Sequence, residues 1–248
     1  MWEICVCLEP KHLKAANFLF NYLKKQMEEL GAYVKKFEEN HQIKVMLACE
    51  EYDKDRATVF LTNSIIETIC TYFKEEFLTK SLNLPIKEGL YFDALKKALI
   101  SFDKETDAFL ISKQLVIENN KDISLESFYY FKLKSIREKW EELASIANDN
   151  GCFLICNDNF IDLLKFLVDN LEISHDTLNV YLEGENFKIF DELDKSIEIC
   201  DEENLVTSLI GLCPRQIVLY GERCDNEKLS LIMKIFDNRV KFKNVEKL

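Results

Sequence analysis

Two gatherings of cations and one close pair of thiols are the places where this chain's residue types could do chemistry. Lys132, Lys134 and Arg137, with Lys139 behind them, form the first; Arg239, Lys241 and Lys243 form the second. In the second, alternation of period two puts the three cations on one face of a strand and Val240 with Phe242 on the other. Such a stripe suits a phosphate or an acidic partner. Lysines also keep an edge strand from pairing with another chain, and that is the reading expected here. Cys152 and Cys156, four apart, would share one face of a helix, as two zinc ligands or two small core residues do. Structural zinc usually takes two short-spaced pairs. Cys200, Cys213 and Cys224 supply no second pair, so the expectation is core and no metal.

The remaining polar candidates read as structure. His12, His41 and His175 each fall near an element boundary with no positioned partner in view, and a surface-loop role is expected for each. Acid clusters at Glu50-Glu51-x-Asp53-x-Asp55, Asp191-Glu192-x-Asp194 and Asp201-Glu202-Glu203 lack the glycine and terminal glutamate of a calcium loop. Each precedes a predicted helix, where negative charge complements the dipole. Cys5-x-Cys7 reads as the inner face of a strand. Phosphate-loop, dinucleotide, HExxH and GxSxG patterns are all missing, so no catalytic residue and no cofactor is predicted.

Size and composition set the frame for these residues. The 248 residues are 48% hydrophobic and 12% aromatic, enough to bury a sizeable core. Thirty-two basic against 44 acidic residues give a net charge of −12, which opposes general nucleic-acid binding while leaving room for a local basic patch. Nine scattered cysteines read as reduced thiols. No basic, apolar leader opens the sequence and no apolar run has membrane-spanning length, so a soluble cytoplasmic protein is expected.

The elements that must position the candidates follow from periodicity. Trp2–Leu8 reads as a strand, 11–30 as a helix stopped by Gly31, and Tyr33–Glu38 with Gln42–Cys49 as two further strands. Residues 53–82 form a long amphipathic helix, and Glu88 to Leu115 repeats the pattern with a weak boundary near Asp103. The spine is Asp122–Asn150. There Leu125, Tyr129, Leu133, Ile136, Trp140, Leu143 and Ala147 recur at helical spacing after the N-cap Ser124. Phe128, Tyr130 and Phe131 add a second apolar surface, predicting cover on more than one side. Asp158–Asn170 is apolar almost all round. A hairpin of 178–182 and 186–190 follows, then a helix over 205–212, a strand over 216–220, a helix over 228–236 and a last strand over 240–243. The end thus echoes the opening. The predicted class is α+β, a long-helix central bundle with small β-α-β type elements at the two ends. Its divisions are 1–50, 51–172 and 173–248, expected to form one compact unit.

Four stretches carry a resemblance. Leu125, Ser127, Phe128, Phe131, Lys132 and Leu133, the LLKFLVD of 163–169, the SLIGLCPRQIVLY of 208–220 and the IFDNRV of 235–240 together resemble the YtxC-like putative sporulation proteins over 125–243. The chain departs from that pattern at Lys132 (arginine usual), Cys213 (alanine), Tyr220 (histidine) and Asp237-Asn238 (glycine). The resemblance implies an endospore-forming source, a role near sporulation and no catalytic residue, and with no convergent catalytic groups in the sequence the expected action is contact with an unidentified protein. Binding of RNA or a nucleotide phosphate by the basic stripe is the alternative, and a metal-dependent hydrolase a third.

Overall fold

Residues 1–85, 87–117, 122–151, 158–184, 186–199, 204–221 and 227–243 are described by the structure, a computed structural model. The chain divides into two compact units that do not follow sequence order. Unit 1 holds Met1–Lys80 and Lys104–Glu142, and unit 2 holds Ser81–Asp103 and Leu143–Leu248. The divisions at 50 and 172 separate element types, whereas the units cut through the helical middle.

In unit 1, alternation buries Ile4, Val6 and Leu8 of β1 (Trp2–Leu8) and Ile43, Val45, Leu47 and Cys49 of β3 (Gln42–Cys49). Both strands therefore present one face to the core. With β2 (Tyr33–Glu39) and β4 (Asp122–Ser124) they form a sheet of order β2-β3-β1-β4, antiparallel except for the parallel β1–β4 pair. Helix α1 (Leu13–Met27) buries Ala16, Leu19 and Leu23, and Gly31 follows it at φ 60°, as its left-handed stop requires. The long helix of 53–82 is α2 (Lys54–Thr68), a π-helical turn over Ile69–Phe73, and α3 (Lys74–Ser81). Helix α5 (Lys104–Gln114) adds Ile111 to the same core.

The spine differs from expectation in two respects. It is a strand and two helices: β4, then α6 (Leu125–Lys132), then α7 (Lys134–Gly151), with the break at Leu133. Ser124 does cap α6, its Oγ accepting from the Ser127 N–H at 3.3 Å. Residues 122–124 are extended because they pair with the edge of β1, Cys5 opposite Asp122 and Cys7 opposite Ser124. The periodic face is buried as predicted at Leu125, Tyr129, Leu133, Ile136, Trp140 and Ala147. Of the second apolar surface only Phe128 is partly covered, packed against the core. Phe131 is 82% exposed and Tyr130 47%, because α6 turns one face to the core and carries these two away from it.

Unit 2 is built on a five-stranded sheet of order β7-β6-β5-β8-β9. Strands β5 (His175–Glu183) and β6 (Asn186–Phe190) form the hairpin, with β7 (Ser196–Ile197) at its edge. Strands β5, β8 (Pro214–Tyr220) and β9 (Val240–Lys243) are parallel, connected through α9 (Leu205–Leu212) and α10 (Glu227–Phe236). The closing unit shares element order with the opening one but not its pairing: β8 and β9 are neighbours, whereas β3 lies between β1 and β2. Leu178, Val180, Ile189, Ile217 and Leu219 form the buried face of the sheet. Helix α4 (Leu90–Ser101) and α8 (Asp158–Asp169) add Leu95, Leu99, Phe160 and Leu164 to the buried set. Helix α8 is amphipathic, not apolar all round, since Phe166 is 58% exposed.

The start of α9 is held by a reciprocal cap. Asn204 Oδ1 accepts from the Val206 and Thr207 N–H groups at 3.0 and 3.1 Å, and the Asn204 N–H donates to Thr207 Oγ1 at 3.1 Å. Replacing Asn204 by alanine is expected to cost about 1 kcal/mol, read as a lower midpoint in chemical unfolding.

Candidate functional site

Charge is brought together most tightly inside unit 1. Asp107 on α5 is fully buried, and its Oδ2 accepts from Lys74 Nζ and from the Trp140 indole N–H, each at 2.8 Å. Its Oδ1 accepts from Lys139 Nζ at 3.0 Å. Burial lowers the Lys74 pKa, opposed by Asp107, and pushes the neighbouring Cys70 thiol up to about 12. The carboxylate thus ties together three segments, α3, α5 and α7.

His12 corrects the surface-loop expectation. It is 8% exposed, stacked on Phe73 at 4.8 Å, with Nδ1 3.1 Å from Glu76 Oε2 and Nε2 3.9 Å from Glu126 Oε1. Glu126 is itself buried, and its Oε1 accepts the Glu9 N–H at 2.7 Å. The histidine and its carboxylates come from three distant segments, and no local spacing announces them. His41 sits at φ 59° in the exposed β2–β3 turn, and His175 opens β5 half-buried.

The basic residues of the spine are dispersed. Lys132 is exposed, and Lys134 is exposed with Glu138 3.5 Å away. Arg137 turns inward: it donates to the Tyr130 carbonyl at 2.7 Å and lies over the Tyr129 and Tyr130 rings. It thereby satisfies a backbone acceptor at the end of α6. Beside Lys132, a groove is walled by Val116, Ile123, Phe128 and Phe131. Val116 is 63% exposed, so two large apolar side chains meet solvent at one place.

The C-terminal cations also separate. Arg239 lies in a 3-10 turn before β9, 20% exposed and bonded to Asp169 at 3.0 Å. Lys241 and Lys243 lie on β9, the sheet edge, both exposed. The outward face of that sheet holds a row crossing four strands: Lys188, Tyr181, Tyr220 and Lys243, each opposite the next. The two tyrosine rings are stacked, 4.6 Å apart and 8° from parallel. Phe190 meets Tyr181 edge-on at 5.5 Å, and Lys243 Nζ lies over the other side of the pair, 5.7 Å from the Tyr220 centroid. The adjacent row contains Phe190, Asn179, Val218 and Lys241.

Cys152 and Cys156 lie outside the described residues, as do Cys200, Cys224 and the acids at 201–203. Among the described residues no three His, Cys, Asp or Glu side chains gather as a metal site. The Cys5, Cys7, Cys49 and Cys213 thiols have raised pKa values, with burial the largest cause, which opposes thiolate formation. The Asp191 cluster makes a turn in place of the expected helix start: Asp191 Oδ1 accepts from the Leu193 and Lys195 N–H groups at 2.9 and 2.8 Å. No helix among the described residues is long and apolar enough to cross a membrane.

Together these features define an α+β protein of two units with aromatic and basic side chains displayed on the surface. The chain belongs to the YtxC-like family, whose model matches residues 95–241. No curated protein and no solved structure matches it.

Proposed function

We propose that this chain acts in the cytoplasm of sporulating cells by non-covalent contact with another protein, and that the groove beside α6 receives an apolar side chain of that partner. The observation carrying the reading is the 82% exposure of Phe131 next to the 63% exposed Val116. Exposed apolar side chains gathered at one groove mark interaction surfaces. Membership in the YtxC-like family, whose resemblance implies sporulation, supplies the setting.

Deleting the gene in the organism of origin is expected to lower spore yield or delay spore formation. A copy carrying Phe131→Ser is expected to fail to restore it, while its thermal midpoint stays near that of the parent, since exposed substitutions usually stay within about 0.5 kcal/mol. Unchanged sporulation on deletion removes the role, and full rescue by the Phe131→Ser copy removes the groove.

A further inference from the structure

We propose that the outward face of the unit 2 sheet is a binding platform for single-stranded nucleic acid, with bases stacking at Tyr181 and Tyr220 and phosphates meeting Lys188, Lys241 and Lys243. This inference is independent of the groove beside α6.

The face opposite the core would serve folding as well with any polar residues. It carries instead a stacked tyrosine pair, 4.6 Å between centroids, with Phe190 at its side and a lysine at each end of the row. Aromatic rings on an open sheet face receive bases whatever their sequence, because every base has a π-face. One side of the Tyr220 ring is engaged by Tyr181. The other is met by the Lys243 ammonium at 5.7 Å, a cation–π contact held by a flexible stem. A base entering there takes over the ring face and releases the Lys243 ammonium toward the adjoining phosphate.

The spacing favours a strand over a free nucleotide. Lys188 and Lys243 stand on the outer two of four neighbouring strands, so their backbones are about 14 Å apart at ordinary strand spacing. Two phosphates of one chain can answer both ends. Lys188 is held by Glu183 at 3.1 Å, but both side chains are more than half exposed, and such pairs exchange readily for a phosphate. Lys241 and Lys243 are both exposed on the edge strand. Tyr181, Tyr220 and Lys243 also lie at or near the carboxyl ends of β5, β8 and β9, the end of parallel strands where ligands gather. The charge of −12 is a property of the whole molecule, and at the ionic strength of a cell the more distant carboxylates are screened over about 8 Å.

The test is fluorescence anisotropy of the full chain with labelled 12-nucleotide RNA and DNA strands, at about 50 and 200 mM salt. Binding to single strands is expected, of either sugar, weaker with salt by a log–log slope of about −2 for three lysines. Tyr220→Leu and Tyr181→Leu should each weaken it about tenfold, while Tyr220→Phe keeps it within about twofold. Lys241→Gln with Lys243→Gln, both at exposed positions, should flatten the salt slope by more than half even if a tyrosine variant misfolds. The proposal is overturned by no binding at the lower salt, by duplex bound as tightly as single strands, or by polyglutamate competing as well as unlabelled oligonucleotide. That last result would make the face a site for an acidic protein.

Discussion

Replacing Asp107 by alanine is expected to remove about 3–5 kcal/mol of stability from unit 1, the largest loss of any single polar substitution in it. The carboxylate answers three donors, and two of them, Lys74 Nζ and the Trp140 indole, belong to fully buried side chains. Removing it leaves an ammonium and an N–H buried without their partner. Removing the cation is milder, because Lys74→Met leaves Asp107 bonded to Lys139 and Trp140 and puts a methylene stem where one already was. Trp2 and Trp140, the chain's two tryptophans, both belong to unit 1, so the urea midpoint of tryptophan fluorescence reads this unit. A Lys74→Met variant as unstable as Asp107→Ala would show that the carboxylate is not the keystone.

The same network sets a pH signature. Burial holds the Lys74 pKa below the ordinary 10.5. The unfolded chain therefore binds this proton more tightly than the folded one, and stability from this group rises as pH climbs from the folded pKa toward 10.5. Without Asp107 the ammonium loses its main support and the pKa falls further. The alanine variant should then recover more stability than the parent as the pH climbs toward the ordinary lysine value of 10.5.

Gly221→Ala is expected to cost about 2–4 kcal/mol in unit 2. Its φ of +140° is open to glycine and strained for other residues, and an added Cβ would lie 3.0 Å from Leu182 Cβ and 3.2 Å from the Leu182 carbonyl oxygen. Backbone crowding of that kind cannot be relieved by a rotamer. Gly211 on α9 is the control: its added Cβ meets only the Lys97 side chain, which can swing away, and alanine is the better helix former. Tyrosine near-ultraviolet dichroism of the Tyr181–Tyr220 stack should report the Gly221 loss, with tryptophan fluorescence as a separate reading of unit 1. Equal effects of the two substitutions would refute the strain argument.

Where a periodic stretch was bounded by a turn or breaker, the sequence was a good guide: β1, β6, α9 and α10 fall within one residue of their predicted positions, and β5 begins three residues earlier than predicted. What escaped it depends on partners far along the chain. β4 is extended only because β1 offers it an edge, and Asp122–Ser124 carry no strand signal of their own. Hydrophobicity also says that a residue favours cover, not that cover exists. Phe131, Phe166, Val59 and Phe109 fit apolar stripes and are more than half exposed. The candidate site was half legible. Alternation along 239–243 grouped Arg239 with Lys241 and Lys243, whereas Arg239 lies in the turn before β9, and the tyrosine row arises from the register of four separate strands, which no local spacing encodes.

The place of β4 bears on how the family's shared segment can exist at all. The matched region begins at residue 95, yet the strand that β4 joins, and the helices α1 and α2 whose side chains share a core with Leu125, Tyr129 and Trp140, all come before it. A chain cut at that boundary would carry half of a hydrophobic interior with nothing to close it. In this chain residues 104–142 of the matched stretch share their compact unit with residues 1–80. Residues 1–80 of this chain supply the strand edge and the apolar helix faces that complete it.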